Sequence, residues 1–304
     1  MSATWNESDK EKVNYLVQFF STGTRTPVFR RPDEVGLAYE DVYFPSDDGI
    51  PLEGWFIPAN SNKIIICNHF MPGNRYGYAG HLEGLGGFGG FEVNFLPQYK
   101  ALHDAGYNVL AYDLRNHGFS GQANGGNCAI GLREYRDVIG SLKYVNSRPD
   151  TKDMQKGLLS VCLGCNSTII AMDKHPEYFK DIKCMLALQP ISLRCFIEKA
   201  AEGMNLKVKE ATDYFNEKFR SVNGFFLDEF TPKPYAKGVT VPTKVFQVHD
   251  DFRTDVADVQ EIYDKLLSKE KELYWIEGTN ERFQGYNFLA KNPQYMLEWL
   301  DKYV

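Results

Sequence analysis

The chain of 304 residues contains no run of about 18 uninterrupted apolar residues, which excludes a membrane-spanning helix. It also lacks long basic runs: 34 Lys and Arg stand against 40 Asp and Glu, for a net charge of -6. Binding a phosphate backbone needs clustered cations, so a nucleic-acid partner is not expected. No acidic tail, internal repeat or low-complexity tract is present. The opening residues, MSATWNESDKEK, are polar and carry no apolar signal core, which points to a cytoplasmic location. The six cysteines (Cys67, Cys128, Cys162, Cys165, Cys184 and Cys195) are scattered, several of them inside apolar strand-like runs. They indicate neither a disulfide framework nor a zinc site and fit a reducing compartment. With 43% hydrophobic residues the chain can bury a large core, as one α/β domain or two small ones. The partner this leaves is a small molecule, with no cofactor and no metal implied. Oligomeric state is not legible, and a homodimer stays open.

What is present centres on Leu158 to Thr168, LLSVCLGCNST. An apolar run breaks at Cys162, which has Ser160 and Gly164 two positions to either side, and the helix-like IIAM follows. This is the layout of a nucleophile elbow, a sharp strand-to-helix turn that needs small neighbours. The sulfur at its centre would meet the free N–H groups and dipole of a helix N-terminus, which favour a thiolate. A structural cysteine buried in an apolar passage is the plainer reading of the same residues.

Ser8 and Glu11 form a capping box ahead of Val13, Leu16, Val17 and Phe20, so an amphipathic helix opens the chain within an N-terminal extension over 1–35. Residues 39–44 and 51–57 read as strands joined by Ser46-Asp47-Asp48-Gly49, a β-hairpin. Buried strands are then expected at 64–67, 107–112, 158–161, 182–188, 244–248 and 273–276, with helices between, as in a parallel sheet with right-handed crossovers. The Gly-rich GHLEGLGGFGGFEV after the first of these reads as a loop, flexible or shaped for a ligand. Residues 192–238 break the alternation and are dense in aromatics, which suggests a lid over the strand ends or a packed helical excursion.

In this order the chain resembles the α/β-hydrolase superfamily over nearly its whole length. Asp113-Leu114-Arg115-Asn116-His117-Gly118-Phe119-Ser120 looks like that superfamily's D-x-R-G-x-G-x-S loop, with Asp113, Arg115 and His117 as structural residues. The resemblance implies one domain over 1–304: a mostly parallel, twisted sheet of about eight strands, helices on both faces and an inserted lid. It places the nucleophile at Cys162 and the acid at Asp251, and makes the oxyanion hole from the N–H groups of Phe70, after Asn68-His69, and Leu163.

The last element of the pattern, a histidine after the final strand, is missing. Glu281 stands there, and the six histidines all precede it. A carboxylate is about four units too weak a base for a thiol. It would also repel a thiolate ~4 Å away by roughly 4 kcal/mol at an effective dielectric of ~20. Glu281 and Asp251 could instead share a proton as a general acid/base pair, or Arg282 could neutralise Glu281. His69 and His249 are the alternative bases. Three functions follow. The first is acyl transfer or hydrolysis of an apolar or aromatic ester or thioester at Cys162. The second is a lyase, isomerase or cyclase using Glu281 and Asp251, and the third is an inactive small-molecule-binding protein.

Overall fold

The computed structural model describes residues 5–22 and 25–304. Ten strands run β1 (Glu40–Pro45), β2 (Pro51–Ile57), β3 (Lys63–Asn68), β4 (Gly77–Ala79), β5 (Glu92–Asn94), β6 (Asn108–Tyr112), β7 (Gln155–Val161), β8 (Ile182–Leu188), β9 (Thr243–Val248) and β10 (Lys271–Ile276). The helices are α1 (Glu7–Ser21), α2 (Leu96–Asp104), α3 (Tyr135–Ser147), α4 (Leu163–Lys174), α5 (Leu193–Gly203), α6 (Val208–Asn223), α7 (Val256–Asp264), α8 (Arg282–Tyr286), α9 (Phe288–Lys291) and α10 (Gln294–Tyr303).

Eight strands form one sheet in the order β1-β2-β6-β3-β7-β8-β9-β10. The pairs from β6 to β10 are parallel, while β1 with β2 and β2 with β6 are antiparallel. Every residue of β6 and β9 is buried, as expected for strands covered on both faces. Because the central strands are parallel, the loops following β3, β7, β8, β9 and β10 leave the same edge of the sheet, where ligands collect in open α/β folds.

Two segments cover that edge. Residues 192–238 contribute α5 and α6, and α1 packs against them through Phe20, whose ring meets Phe196 of α5 and Phe215 of α6 at centroid distances of 5.3 and 6.4 Å. Val13, Leu16, Val17 and Phe20 are all buried, and at about 1.5–3 kcal/mol per fully buried apolar side chain they fix α1 to the body. Its cap is Asn6, with Asp9 reciprocating, two residues ahead of the Ser8–Glu11 box expected from the sequence. The Gly-rich segment is more ordered than a plain loop: β4 and β5 pair as a two-stranded sheet around it, and Phe88 stacks on Phe283 at 4.4 Å. No helix among the described residues is long and apolar enough to cross a membrane.

Candidate active site

The backbone of Cys162 lies between β7 and α4 at φ 49° and ψ -104°. A non-glycine residue held there stores on the order of 1–3 kcal/mol, and its surroundings must hold it. They do so on both sides: the Cys162 N–H donates to Leu188 O at 2.8 Å, and Asn166 N donates to Cys162 O at 2.9 Å. Gly164 has to be small, since a Cβ would meet Asn68 O at 2.4 Å. That close approach lets Gly164 N donate to His69 O at 3.0 Å and locks the loop after β3 onto the elbow helix. Ser160 belongs to the same joint, accepting from Asn68 Nδ2 at 2.9 Å, while Tyr112 Oη donates to Asn68 Oδ1 at 2.6 Å. The backbone N–H groups of Phe70 and Leu163 have no hydrogen-bond acceptor among the described residues, as donors of an oxyanion hole require.

The position opposite Asp251 is filled by Arg282. Its Nη1 lies 2.9 Å from Asp251 Oδ2, and both side chains are 1% exposed. Arg282 also donates to Gln189 O through Nη2 and to Tyr286 Oη through Nε at 2.8 Å. Arg282 and Tyr286 sit four apart on α8 and so share a face. Burial opposes the guanidinium charge, but Tyr286, Cys162 and Asp251 together raise its pKa above the ordinary value. The Tyr286 and Cys162 side chains line the same cavity. Burial pushes this phenol well above its usual range, against the pull of Arg282, so it remains neutral and can donate to the sulfur. The thiol therefore faces a phenol and a guanidinium in place of an imidazole.

Asp251 is fully engaged. Its Oδ2 accepts from Thr254 Oγ1 at 2.8 Å and Gln247 Nε2 at 3.2 Å besides Arg282, and its Oδ1 accepts from the Arg253 N–H at 3.0 Å. The shared-proton pair with Glu281 is therefore corrected, as is the pairing of Arg282 with Glu281. No hydrogen bond or ion pair among the described residues joins Glu281 to Asp251 or Arg282, and a guanidinium sits where the shared proton was expected. Glu281 stands at the N-cap position of α8 without a capping hydrogen bond from its side chain, and its charge is felt by Arg253.

Neither alternative base reaches the sulfur. His69 is buried, its Nδ1 bonded to Phe70 O at 2.8 Å and its Nε2 accepting from Leu114 N at 2.9 Å, so both nitrogens are occupied. Burial, with the charges of His117 and Arg75, holds its pKa well below the usual value and keeps it neutral. His249 is exposed and bonded to Asp250 at 2.8 Å; with Glu277 these two form a surface trio whose ligand atoms lie within 4.8 Å of one another. Asp113, Arg115 and His117 brace their own loop: Asp113 accepts from the N–H groups of Arg75 and Phe119, Arg115 pairs with Asp137 and Asp48, and His117 bonds Arg115 O. Cys165 stands in C-x-x-C spacing with Cys162, against the reading of the cysteines as merely scattered; it is fully buried and, like the other five, free.

Cys162 opens into a cavity of about 30 Å³ lined by Phe19, Phe20, Met71, Phe88, Ile130, Leu163, Ile191, Phe196, Arg282, Phe283 and Tyr286. Four separate segments (α1, the Gly-rich segment, α5 and α8) thus send phenylalanines over one sulfur. The place of Arg282, Tyr286 and these rings around Cys162 was not visible in the sequence, where Arg282 stands only as a partner for Glu281. The i, i+4 spacing of Arg282 and Tyr286 was visible there, but nothing in it pointed at Cys162.

No protein-family model matches the chain. It is 23% identical over 292 residues to the uncharacterized protein YqkD of Bacillus subtilis, with 87% of this chain and 83% of that one aligned. Among solved structures it is similar to the Pyrococcus furiosus esterase Pf2001, with a TM-score of 0.71 and 22% identity over 93% of this chain and 98% of the other. It is also similar to a dienelactone hydrolase from Anabaena variabilis, with a TM-score of 0.55 and 15% identity over 88% and 99%. The sheet order and these likenesses give the chain the α/β-hydrolase fold.

Proposed function

We propose that the protein is an acyl-transfer enzyme in which Cys162 attacks the carbonyl of an apolar thioester or ester. The observation that carries this reading is the sulfur on a strained elbow, in a cavity it shares with the Tyr286 phenol and the buried Arg282 guanidinium. A thiolate there attacks the carbonyl carbon, and the Phe70 and Leu163 N–H groups receive the developing oxyanion. Collapse breaks the bond to the leaving thiolate or alkoxide, which departs with its electron pair, and leaves a thioester on Cys162. Arg282 cannot accept a proton and Asp251 is tied to Arg282, Thr254 and Gln247, so nothing in the pocket activates water as an imidazole would. An incoming thiolate brings its own charge and can resolve the acyl-enzyme, which favours transfer over hydrolysis.

The test is intact-protein mass spectrometry after mixing with an acyl thioester such as decanoyl-N-acetylcysteamine. One acyl group on Cys162, released by added thiol faster than by water, is the expected result. A second reading, a binding protein of the same fold, is favoured by the closure of the 30 Å³ cavity. Recovery of the thioester intact from its complex with the protein, with Cys162 unmodified, would establish that one instead.

A further inference from the structure

Beside the Cys162 cavity lies a second one of about 330 Å³, between α1 and α5, whose lining includes Tyr15, Leu16, Phe252 and Met204. Four rings, those of Phe19, Phe20, Phe88 and Phe196, line both cavities and form the wall between them. Tyr15 and Phe252 are 65% and 47% exposed at the outer rim, so the groove opens to solvent at one end and abuts the sulfur's pocket at the other. Its size is at the lower end of small-molecule sites.

Two cations line this apolar groove, and they differ. Lys199 is satisfied by Glu202 at 3.3 Å and Asp255 at 4.0 Å. The Arg253 guanidinium lies over the rings of Phe252, Phe88 and Phe196 at 4.5, 5.2 and 6.0 Å. It has no hydrogen bond or ion pair among the described residues, and its Nε–H is buried without an acceptor. Glu281 and Asp251 act on this guanidinium by charge alone, without a hydrogen bond or ion pair, and ring faces compensate its burial only in part. The planar fork matches a carboxylate, and the aromatic surround strengthens such a pairing by excluding water.

We propose that this groove binds an amphipathic ligand, an apolar chain between α1 and α5 with one carboxylate on Arg253. The chain replaces water along Leu16, Ala200, Gly203 and Met204, and the carboxylate sits at the shared phenylalanine wall, next to the cavity of Cys162. A free carboxylate is no acyl donor, so this ligand is the acid that corresponds to the acyl group; it deepens the acyl-transfer reading by naming the acyl class, and rests on that reading only there.

The experiment is calorimetric titration of the full chain with decanoate and with decanol, on wild type and on Cys162→Ala. Decanoate should bind both proteins alike, and about ten-fold or more tighter than decanol, as a charge-assisted hydrogen bond implies. Arg253→Met should remove the preference for decanoate while leaving decanol binding in place. Gly203→Phe tests the location independently: a Cβ at Gly203 meets nothing within 4 Å, so the ring can only enter the groove or solvent, and it should weaken decanoate more than hexanoate. Equal binding of decanoate and decanol, no binding of either, or a preference that survives Arg253→Met overturns the proposal. Selective decanoate binding without any acyl adduct on Cys162 would sink the acyl-transfer reading and leave the groove. An acyl adduct without Arg253-dependent selectivity would do the reverse.

Discussion

Arg282 Nη1 and Asp251 Oδ2 are 2.9 Å apart in a pair of side chains each 1% exposed, and this pair spans the loops that follow the last two strands of the sheet. In the superfamily the chain resembles, the acid position orients an imidazole; in this chain Asp251 orients a guanidinium. The consequence is a permanent positive charge beside the sulfur where a proton carrier would stand. The pair holds α8 to the sheet as well, through Gln189, whose Nε2 donates to Arg282 O at 2.8 Å while its own carbonyl accepts from Arg282.

Removing one member should therefore cost more than removing both. Arg282→Met strands the Asp251 charge in the interior and should destabilise the fold by about 3–5 kcal/mol. Asp251→Asn added to Arg282→Met removes that stranded charge and should recover more than half of the loss. Urea denaturation of the three proteins measures this, and a loss under ~1 kcal/mol in Arg282→Met would contradict the burial argument.

Cys162 should be alkylated by iodoacetamide before the other five cysteines. Burial pushes the Cys184 thiol to about 12, and burial with Asp258 and Asp255 does the same to Cys195. Burial also moves Cys67, Cys128 and Cys165 upward, and all three are enclosed. Phe88 walls the Cys162 cavity from a Gly-rich segment, so Phe88→Ala should speed labelling of Cys162 without changing the order of the rest. Peptide mass spectrometry over time gives the ranking; Cys195 labelling first would refute it.

Tyr286→Phe deletes the hydroxyl that accepts from Arg282 Nε beside the Cys162 cavity. Single-turnover acylation of Cys162 should slow by about ten-fold, the equivalent of one hydrogen bond to a charged group. A rate within two-fold of wild type would take Tyr286 out of the chemistry and leave it as packing.

The elbow and the sheet were legible because each rests on local pattern. Apolar runs at 64–67, 182–188 and 244–248 are buried strands whose neighbours are fixed by alternation, and Ser160 and Gly164 flank Cys162 for steric reasons that survive any tertiary context. Arg282 was not legible in its role. A buried arginine and an exposed one look alike in sequence, and only the carboxylate and carbonyl brought from β9 and β8 distinguish them. Phe20 reads as the end of a helix's apolar stripe; that it and Phe19 lie above a sulfur about 140 residues away depends on α1 docking against α5 and α6. The Gly-rich segment failed for the opposite reason: its pairing is between β4 and β5, three residues each, too short to show period-two alternation.

Acid should weaken the fold through the loops that hold the site. Burial lowers the pKa of His69 well below 6.5, and burial lowers that of His117 as well. Between those depressed values and the unfolded value near 6.5, the unfolded chain binds protons that the folded one refuses. Stability from these groups is complete above about pH 7 and is lost as pH falls below ~6.5 toward the folded-state values. The urea midpoint should drop from pH 7 to pH 5.5, and replacing both histidines with glutamine should flatten the slope in that window even if it lowers the plateau. An unchanged slope in the double variant would assign the acid sensitivity to carboxylates.

The two residues at the start of α8 can be separated by giving each the missing imidazole. Glu281 touches neither Asp251 nor Arg282 by any hydrogen bond or ion pair among the described residues, so Glu281→Gln should leave acylation of Cys162 within about two-fold. Glu281→His should be silent too, because Arg282 would still occupy Asp251. Arg282→His is different. It puts a ring where Asp251 can accept its N–H, with Tyr286 and Cys162 beside it, and so assembles thiol, imidazole and carboxylate in the order that water activation requires. Deacylation by water, slow in the parent, should then rise by about 10²-fold or more, the usual contribution of a placed general base. The readout is release of the acyl group from Cys162 in the absence of added thiol, which separates the new step from acylation. If Glu281→His and not Arg282→His gained this step, the base position would belong to Glu281 and the guanidinium would be support for the fold alone.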